Sequence, residues 1–119
     1  MPSADEIRDV QRATWAGLSA GWEKWDSVIM DQLGPVSAAM IERLDIAEDQ
    51  QHLDIAAGTG EPGLSIARLS PKGRVVLTDL VAEMLDIAAT RSVSTTRPFG
   101  DSRAMLRPGS PVPAAMSRC

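Results

Sequence analysis

The first third of the chain carries apolar residues at helical spacing. Trp15, Leu18, Trp22, Trp25 and Ile29 follow one another at intervals of three and four, which places them along one face of a continuous helical backbone. Gly17 and Gly21 interrupt that stripe and predict two helices, one around Ala4–Leu18 and one around Trp22–Leu33. Gly34-Pro35 then ends the second helix and opens a third, with Val36, Met40, Ile41 and Leu44 on its apolar face and Pro35 tolerated in the first turn. The tryptophan stripe reads as core packing, with cover over a ligand as the alternative.

After residue 50 the period changes. "HLDIAAGTGEPGLSIARL" predicts a short strand over His52–Ala56, a glycine turn, and a helix through Leu64, Ile66, Ala67 and Leu69 that closes at Pro71-Lys72-Gly73. A second unit repeats the order: strand Arg74–Thr78, then Asp79, then a helix carrying Val81, Met84, Leu85 and Ala88. Strands alternating with helices of about ten residues indicate βαβ units and a parallel sheet, whose ligands bind at the carboxyl ends of the strands. The candidate site therefore lies near Gly58 and Asp79.

Composition bounds this picture without changing it. A chain of 119 residues, 44% of them hydrophobic, suits one domain with a modest core. No apolar run reaches the ~18–20 residues of a membrane span, and "MPSADEIRDV" carries acids where a secretion signal has basic and then apolar residues. The expectation is a cytoplasmic protein with no stable membrane insertion. One cysteine, Cys119, and one histidine, His52, offer neither an intrachain disulfide nor a zinc cluster. His52 sits at the entry end of its strand, away from the ligand end, and reads as structural or exposed.

Charge is unevenly spread. Residues 1–90 hold 15 acids and 7 bases, whereas residues 91–119 hold 5 arginines and the single acid Asp101. An acidic body argues against nucleic acid as a partner, because phosphate contacts need clustered Lys and Arg. The arginines of the tail are interspersed with Ser and Pro and lack aromatic neighbours, so residues 92–119 read as an irregular segment.

Gly58-Thr59-Gly60-Glu61-Pro62-Gly63 satisfies the G-x-G-x-x-G spelling of dinucleotide binding, and the flanking residues decide whether a pyrophosphate belongs there. Asp54, four residues before Gly58, and Glu61 within the turn both carry negative charge, and no basic residue accompanies them. Like charges a few ångströms apart in a partly desolvated pocket repel by kilocalories. The turn prefers a cationic ligand. Asp79 lies 19 residues after Gly60, at the end of the second strand, where a carboxylate accepts hydrogen bonds from ribose hydroxyls. An adenosine without phosphate that carries ammonium and sulfonium charges is S-adenosylmethionine.

On these residues the chain resembles a family. "HLDIAAGTGEPG" and "VVLTDLVAEMLDIA" look like motif I and the acidic second-strand motif of class I S-adenosylmethionine-dependent methyltransferases. The stretch from "QRATWAGLSAGWEKW" to "MLDIAATR" is similar to the small-molecule methyltransferases of the ubiquinone/menaquinone-biosynthesis type, over about residues 10–91. The resemblance implies an α/β fold: the N-terminal half of a Rossmann-like doubly wound parallel sheet, preceded by helices and followed by an irregular tail. Its parts are a helical cap over 1–48, a cofactor-binding βαβα core over 49–91 and the Pro/Ser/Arg-rich tail over 92–119.

Carried over by residue, it implies that Asp54, Ala56, Gly58 and Gly60 line the methionine side of S-adenosylmethionine, that Asp79 holds the ribose, and that Leu80 and Met84 flank the adenine. Gly100-Asp101-Ser102 stands where the family has a turn touching the adenine amino group, which makes Asp101 the last candidate. Ala56 departs from a pattern in which Gly is commoner. The N-terminal helices cover the cofactor in the family, which brings Trp15, Trp22 and Trp25 into consideration. The implied activity is transfer of the sulfonium methyl to a small-molecule acceptor, with no catalytic residue nominated.

Beyond Arg91 the resemblance fades. "RPGSPVPAAMSRC" contains three prolines where a central strand should follow, and proline is confined to sheet edges. The expectation is a truncated or frame-shifted product whose first strand lies at an exposed edge, open to an oligomer or a partner strand. Two other readings stay open: an NAD-type nucleotide-binding oxidoreductase fragment, from the literal glycine spelling, and a non-catalytic fragment that pairs with another chain.

Overall fold

The structure, a computed structural model, describes residues 1–93 and 103–108. Two long helices, α1 (Ala4–Lys24) and α2 (Asp26–Leu44), precede β1 (Gln51–Ile55), α3 (Gly63–Leu69), β2 (Arg74–Asp79), α4 (Ala82–Val93) and β3 (Arg103–Pro108). The strands form a parallel sheet in the order β1-β2-β3. Each parallel pair is joined through a helix, because parallel neighbours need a crossover connection. The fold class is α/β, as the alternation of elements predicts.

Local signals fix the start of α1. Ser3 is its N-cap: the Ser3 Oγ accepts the Glu6 N–H at 3.2 Å, and the Glu6 carboxylate accepts the Ser3 N–H at 2.6 Å. Two of the four orphan donors at the helix end are thereby satisfied. The predicted breaks fall elsewhere. Gly17 and Gly21 lie inside α1, the only break comes at Trp25, and Gly34-Pro35 lies inside α2. A helical glycine costs about 1 kcal/mol against alanine and an interior proline about 3 kcal/mol. These sums bias a helix but do not end it, and the rows of hydrogen bonds on either side carry it through.

The core is assembled around β2. Val75 and Leu77 are fully buried, flanked by Leu64, Ile66 and Ala67 of α3, Leu85 and Ala88 of α4, and Ala57, with Ile41 and Ile46 packed against the cluster. β1 pairs with β2 from Gln51 opposite Arg74 to Ile55 opposite Thr78, and pairs with nothing else among the described residues. Its edge position agrees with the sequence expectation. Leu53 and Ile55 on its open face are 37% and 48% exposed.

Two expectations are corrected here. The backbone of residues 103–108, within the stretch read as irregular, forms β3 and pairs with β2 from Arg74 opposite Arg103 to Asp79 opposite Pro108. Prolines and arginines around "RAML" conceal a strand that draws its ladder from the ready edge of β2, and Pro108 stands at its end, where proline is tolerated. The tryptophan stripe is not core: Trp15 is 40% and Trp25 55% exposed. The hydrophobic cluster draws on α3, β2 and α4, and the apolar face of α1 turns elsewhere.

Candidate functional site

Sequence geometry makes the turn after β1 tight. Ala56, Gly58 and Gly60 all have positive φ, at 58°, 53° and 115°. Gly58 and Gly60 adopt these values without steric penalty, whereas Ala56 carries a Cβ into a left-handed conformation that disfavours L-residues by about 1–2 kcal/mol. The turn stays attached to the sheet because the Ala57 N–H donates to the Thr78 carbonyl at 3.0 Å, and the Gly60 N–H to the Ala57 carbonyl at 2.9 Å.

Two carboxylates hold this loop, one at Gly58 and one at Gly63. Asp79, at the end of β2, accepts the Gly58 N–H on Oδ2 at 2.8 Å and the Val81 N–H on Oδ1 at 2.9 Å. It therefore ties the turn after β1 to the turn before α4, and each oxygen keeps a second lone pair. Asp54 accepts the Gly63 N–H at 2.9 Å, capping the first turn of α3. Gly63 is obligatory there, since a Cβ would come within 2.6 Å of Asp54 Oδ2 and 3.1 Å of Leu77 Cγ. Burial raises the Asp54 pKa, the Gly63 hydrogen bond opposes the rise, and the charges of Glu61 and Asp79 add to it.

Glu61 is only partly available as a free negative charge. Its Oε2 accepts the Ser65 hydroxyl at 2.6 Å and its Oε1 faces Arg68 at 3.5 Å. The acidic character that the sequence assigned to the turn is thus moderated on one side.

A cavity of about 610 Å³ opens between the turn and the two long helices. The body supplies Ala56, Ala57, Gly58, Thr59, Glu61, Asp79, Leu80 and Met84, and the cap supplies Gln11, Trp15, Trp22, Met30, Leu33, Val36 and Ser37. Among the described residues, neither Lys nor Arg lines it. Trp15 and Trp22 stand 6.1 Å apart with rings tilted by 56°, so the apolar face of α1 walls a cavity instead of filling a core. Of the residues singled out from sequence, Ala56, Gly58, Asp79, Leu80 and Met84 lie on the wall. Asp54 and Gly60 lie behind it: Asp54 braces α3, and a Cβ on Gly60 would come within 2.9 Å of Leu64 Cγ and 3.2 Å of Ala88 Cβ. Asp101 lies outside the described residues.

Trp25 takes no part in the lining and instead carries the Lys24 ammonium 5.1 Å from its ring centroid. His52 is half-buried on β1, with no hydrogen-bond partner on Nε2 among the described residues, and it too is absent from the lining. Sequence reasoning missed Gln11, Met30, Leu33 and Ser37, because ordinary apolar and polar residues on a helix carry no signal of a cavity. It also missed Arg91 at the end of α4. The Arg91 guanidinium donates to the Thr59 carbonyl at 3.1 Å and hydroxyl at 3.3 Å, and pairs closely with Asp26.

No family model and no curated protein matches the chain. Solved structures do. The Haemonchus contortus phosphoethanolamine N-methyltransferase 1, in complex with phosphoethanolamine and S-adenosylhomocysteine, is similar with a TM-score of 0.71 and 18% identity, over 92% of this chain and 22% of that one. DhpI, in a complex with SAM and HEP, is similar with a TM-score of 0.61 and 20% identity, over 92% of this chain and 45% of that one. The chain shares the N-terminal Rossmann-like fold of these proteins and spans less than half the length of either.

Proposed function

We propose that this chain binds S-adenosylmethionine in the cavity between the glycine turn and the α1–α2 cap, and serves as a methyltransferase, or its cofactor-binding part, acting on a small molecule. The observation that carries the reading is Asp79, a carboxylate on the cavity wall whose two oxygens are held by the Gly58 and Val81 N–H groups with lone pairs to spare. A ribose offers two hydroxyl donors to such a group.

The wall suits the rest of that cofactor. Its volume falls within the ~300–1,000 Å³ of small-molecule pockets. Leu80 and Met84 supply apolar flanks for an adenine, and the open backbone at Ala56–Gly58 faces the amino-acid end. The acids Glu61 and Asp79, with no Lys or Arg on the wall among the described residues, favour a cation over a pyrophosphate. That absence counts against the NAD-type reading.

When bound, the cofactor supplies an electrophilic sulfonium methyl for in-line displacement. The chain's own contribution is alignment and exclusion of water, with Trp15 and Trp22 covering the cavity and Asp79 fixing the ribose. A second reading, a non-catalytic piece that pairs with another chain, draws support from the open edge of β1 and the exposed Leu53 and Ile55.

Thermal melting followed by tryptophan fluorescence, with S-adenosylhomocysteine, with NAD and without ligand, tests the proposal. A ligand that binds only the folded state raises the melting temperature by mass action. A rise with S-adenosylhomocysteine alone is expected. A rise with NAD alone would overturn the reading.

A further inference from the structure

Arg91 of α4 bridges the cap and the glycine turn. α1 and α2 are nearly continuous: the Trp25 N–H donates to the Gly21 carbonyl and the Ile29 N–H to the Trp25 carbonyl, both at 3.0 Å, so the chain bends at the single residue Trp25. Asp26 is the first residue after the bend. Its Oδ2 pairs with Arg91 from α4, and Oδ1 is buried without a partner among the described residues. The other arm of the same guanidinium grips Thr59, a buried residue of the turn that also lines the cavity.

We propose that Arg91 is a positioning residue that couples the bend of the cap to the shape of the glycine turn, so that cap closure and cofactor binding strengthen each other. The inference rests on the S-adenosylmethionine reading of the cavity. The planar fork of arginine is what permits the bridge: one nitrogen reaches both oxygens of Thr59 while the other holds Asp26. A carboxylate with one buried, unpartnered oxygen depends on that single cation, because a partly buried charge stripped of its partner is strongly disfavoured. Trp22 lies four residues before Asp26, one helical turn away, and walls the cavity. Movement at the bend therefore moves the wall, and a turn held in its bound shape by Arg91 holds the bend as well. Such coupling is reciprocal by linkage: whatever closure contributes to ligand affinity, the ligand contributes to closure.

Two readouts test this on the whole chain. The first is S-adenosylhomocysteine affinity, from tryptophan fluorescence, in the wild type, Arg91→Met, Arg91→Lys, Asp26→Asn and the Arg91→Met/Asp26→Asn double variant. The expected result is about tenfold weaker binding in Arg91→Met and in Asp26→Asn, or ~1.4 kcal/mol. Arg91→Lys should fall between, since it keeps the charge without the fork, and the double variant should lose no more than either single.

The second readout is acrylamide quenching of tryptophan without ligand, which should be greater in Arg91→Met than in the wild type. Variants that melt lower yet bind with unchanged affinity would assign Arg91 a structural role and overturn the inference, as would fully additive losses. Asp26→Asn leaves both Thr59 contacts in place and carries the test should Arg91→Met fail to fold. A wild type that does not bind S-adenosylhomocysteine defeats the cofactor reading instead, and equal quenching in wild type and variant defeats the coupling separately.

Discussion

Asp79 accepts the backbone N–H of Gly58 at 2.8 Å, across 21 residues of chain. The contact joins the turn after the first strand to the end of the second, and the same carboxylate turns its other oxygen to Val81 at the entry to α4. Neither hydrogen bond consumes the residue. A single side chain thus fixes the shape of two turns and still faces the cavity.

Replacing Asp79 separates these roles. Asp79→Ala should destabilise the fold by about 2 kcal/mol, since hydrogen bonds to a charged group contribute roughly 1.5–3 kcal/mol and two N–H groups lose their acceptor. The same variant should lose any melting-temperature rise with S-adenosylhomocysteine. Urea denaturation with and without that ligand measures both effects.

Ala56 offers a change in the opposite direction. At φ 58° its Cβ is unfavourable, and Ala56→Gly should stabilise the folded chain by about 0.5–1 kcal/mol after the greater entropy of unfolded glycine is counted. A higher urea midpoint with unchanged slope is the expected result. A lower midpoint would show that the methyl group makes a packing contribution larger than the backbone strain.

Asp54 sets a pH dependence. Its folded pKa lies above the ordinary 3.8, chiefly through burial, so the native state holds this proton more tightly than the unfolded chain does. Its contribution to stability is fully present below the unfolded pKa and is lost as pH rises through the folded value. Melting temperatures from pH 3.5 upward, compared between wild type and Asp54→Asn, should show this fall in the wild type and not in the variant. Other carboxylates act in the same range, so the difference between the two curves is the quantity to read.

The long α1 helix makes its own prediction. Gly17 and Gly21 lie within it, and a Cβ at either position meets nothing within 4 Å. Gly17→Ala and Gly21→Ala should each stabilise the helix by up to about 1 kcal/mol. Circular dichroism melting reads the effect. A loss at Gly21→Ala would mean that the bend at Trp25, four residues on, needs the freedom of this glycine.

What the residues by themselves determined was everything governed by short-range pattern. The alternation of "HLDI" and "RVVLT" with apolar helices specified parallel βαβ units, and the approximate start of α1 followed from its helical spacing. Asp79 was legible as a residue beside the glycine turn because its place at the end of the second strand follows from spacing alone, and it lines the cavity. Tertiary structure decided the rest, because it depends on which surfaces meet. A three-and-four periodicity says that Trp15 and Trp22 share a face, but not whether that face meets a sheet or a cavity. Gly34-Pro35 is a strong local stop, yet the helix carries through it. Asp54 and Gly60 belong to the glycine motif, but the fold turns one toward the Gly63 N–H and the other against Leu64, leaving Ala56 and Gly58 on the wall. Arg91 had no local signal at all: its partners Asp26 and Thr59 lie 65 and 32 residues away, and only packing brings them within reach of one guanidinium.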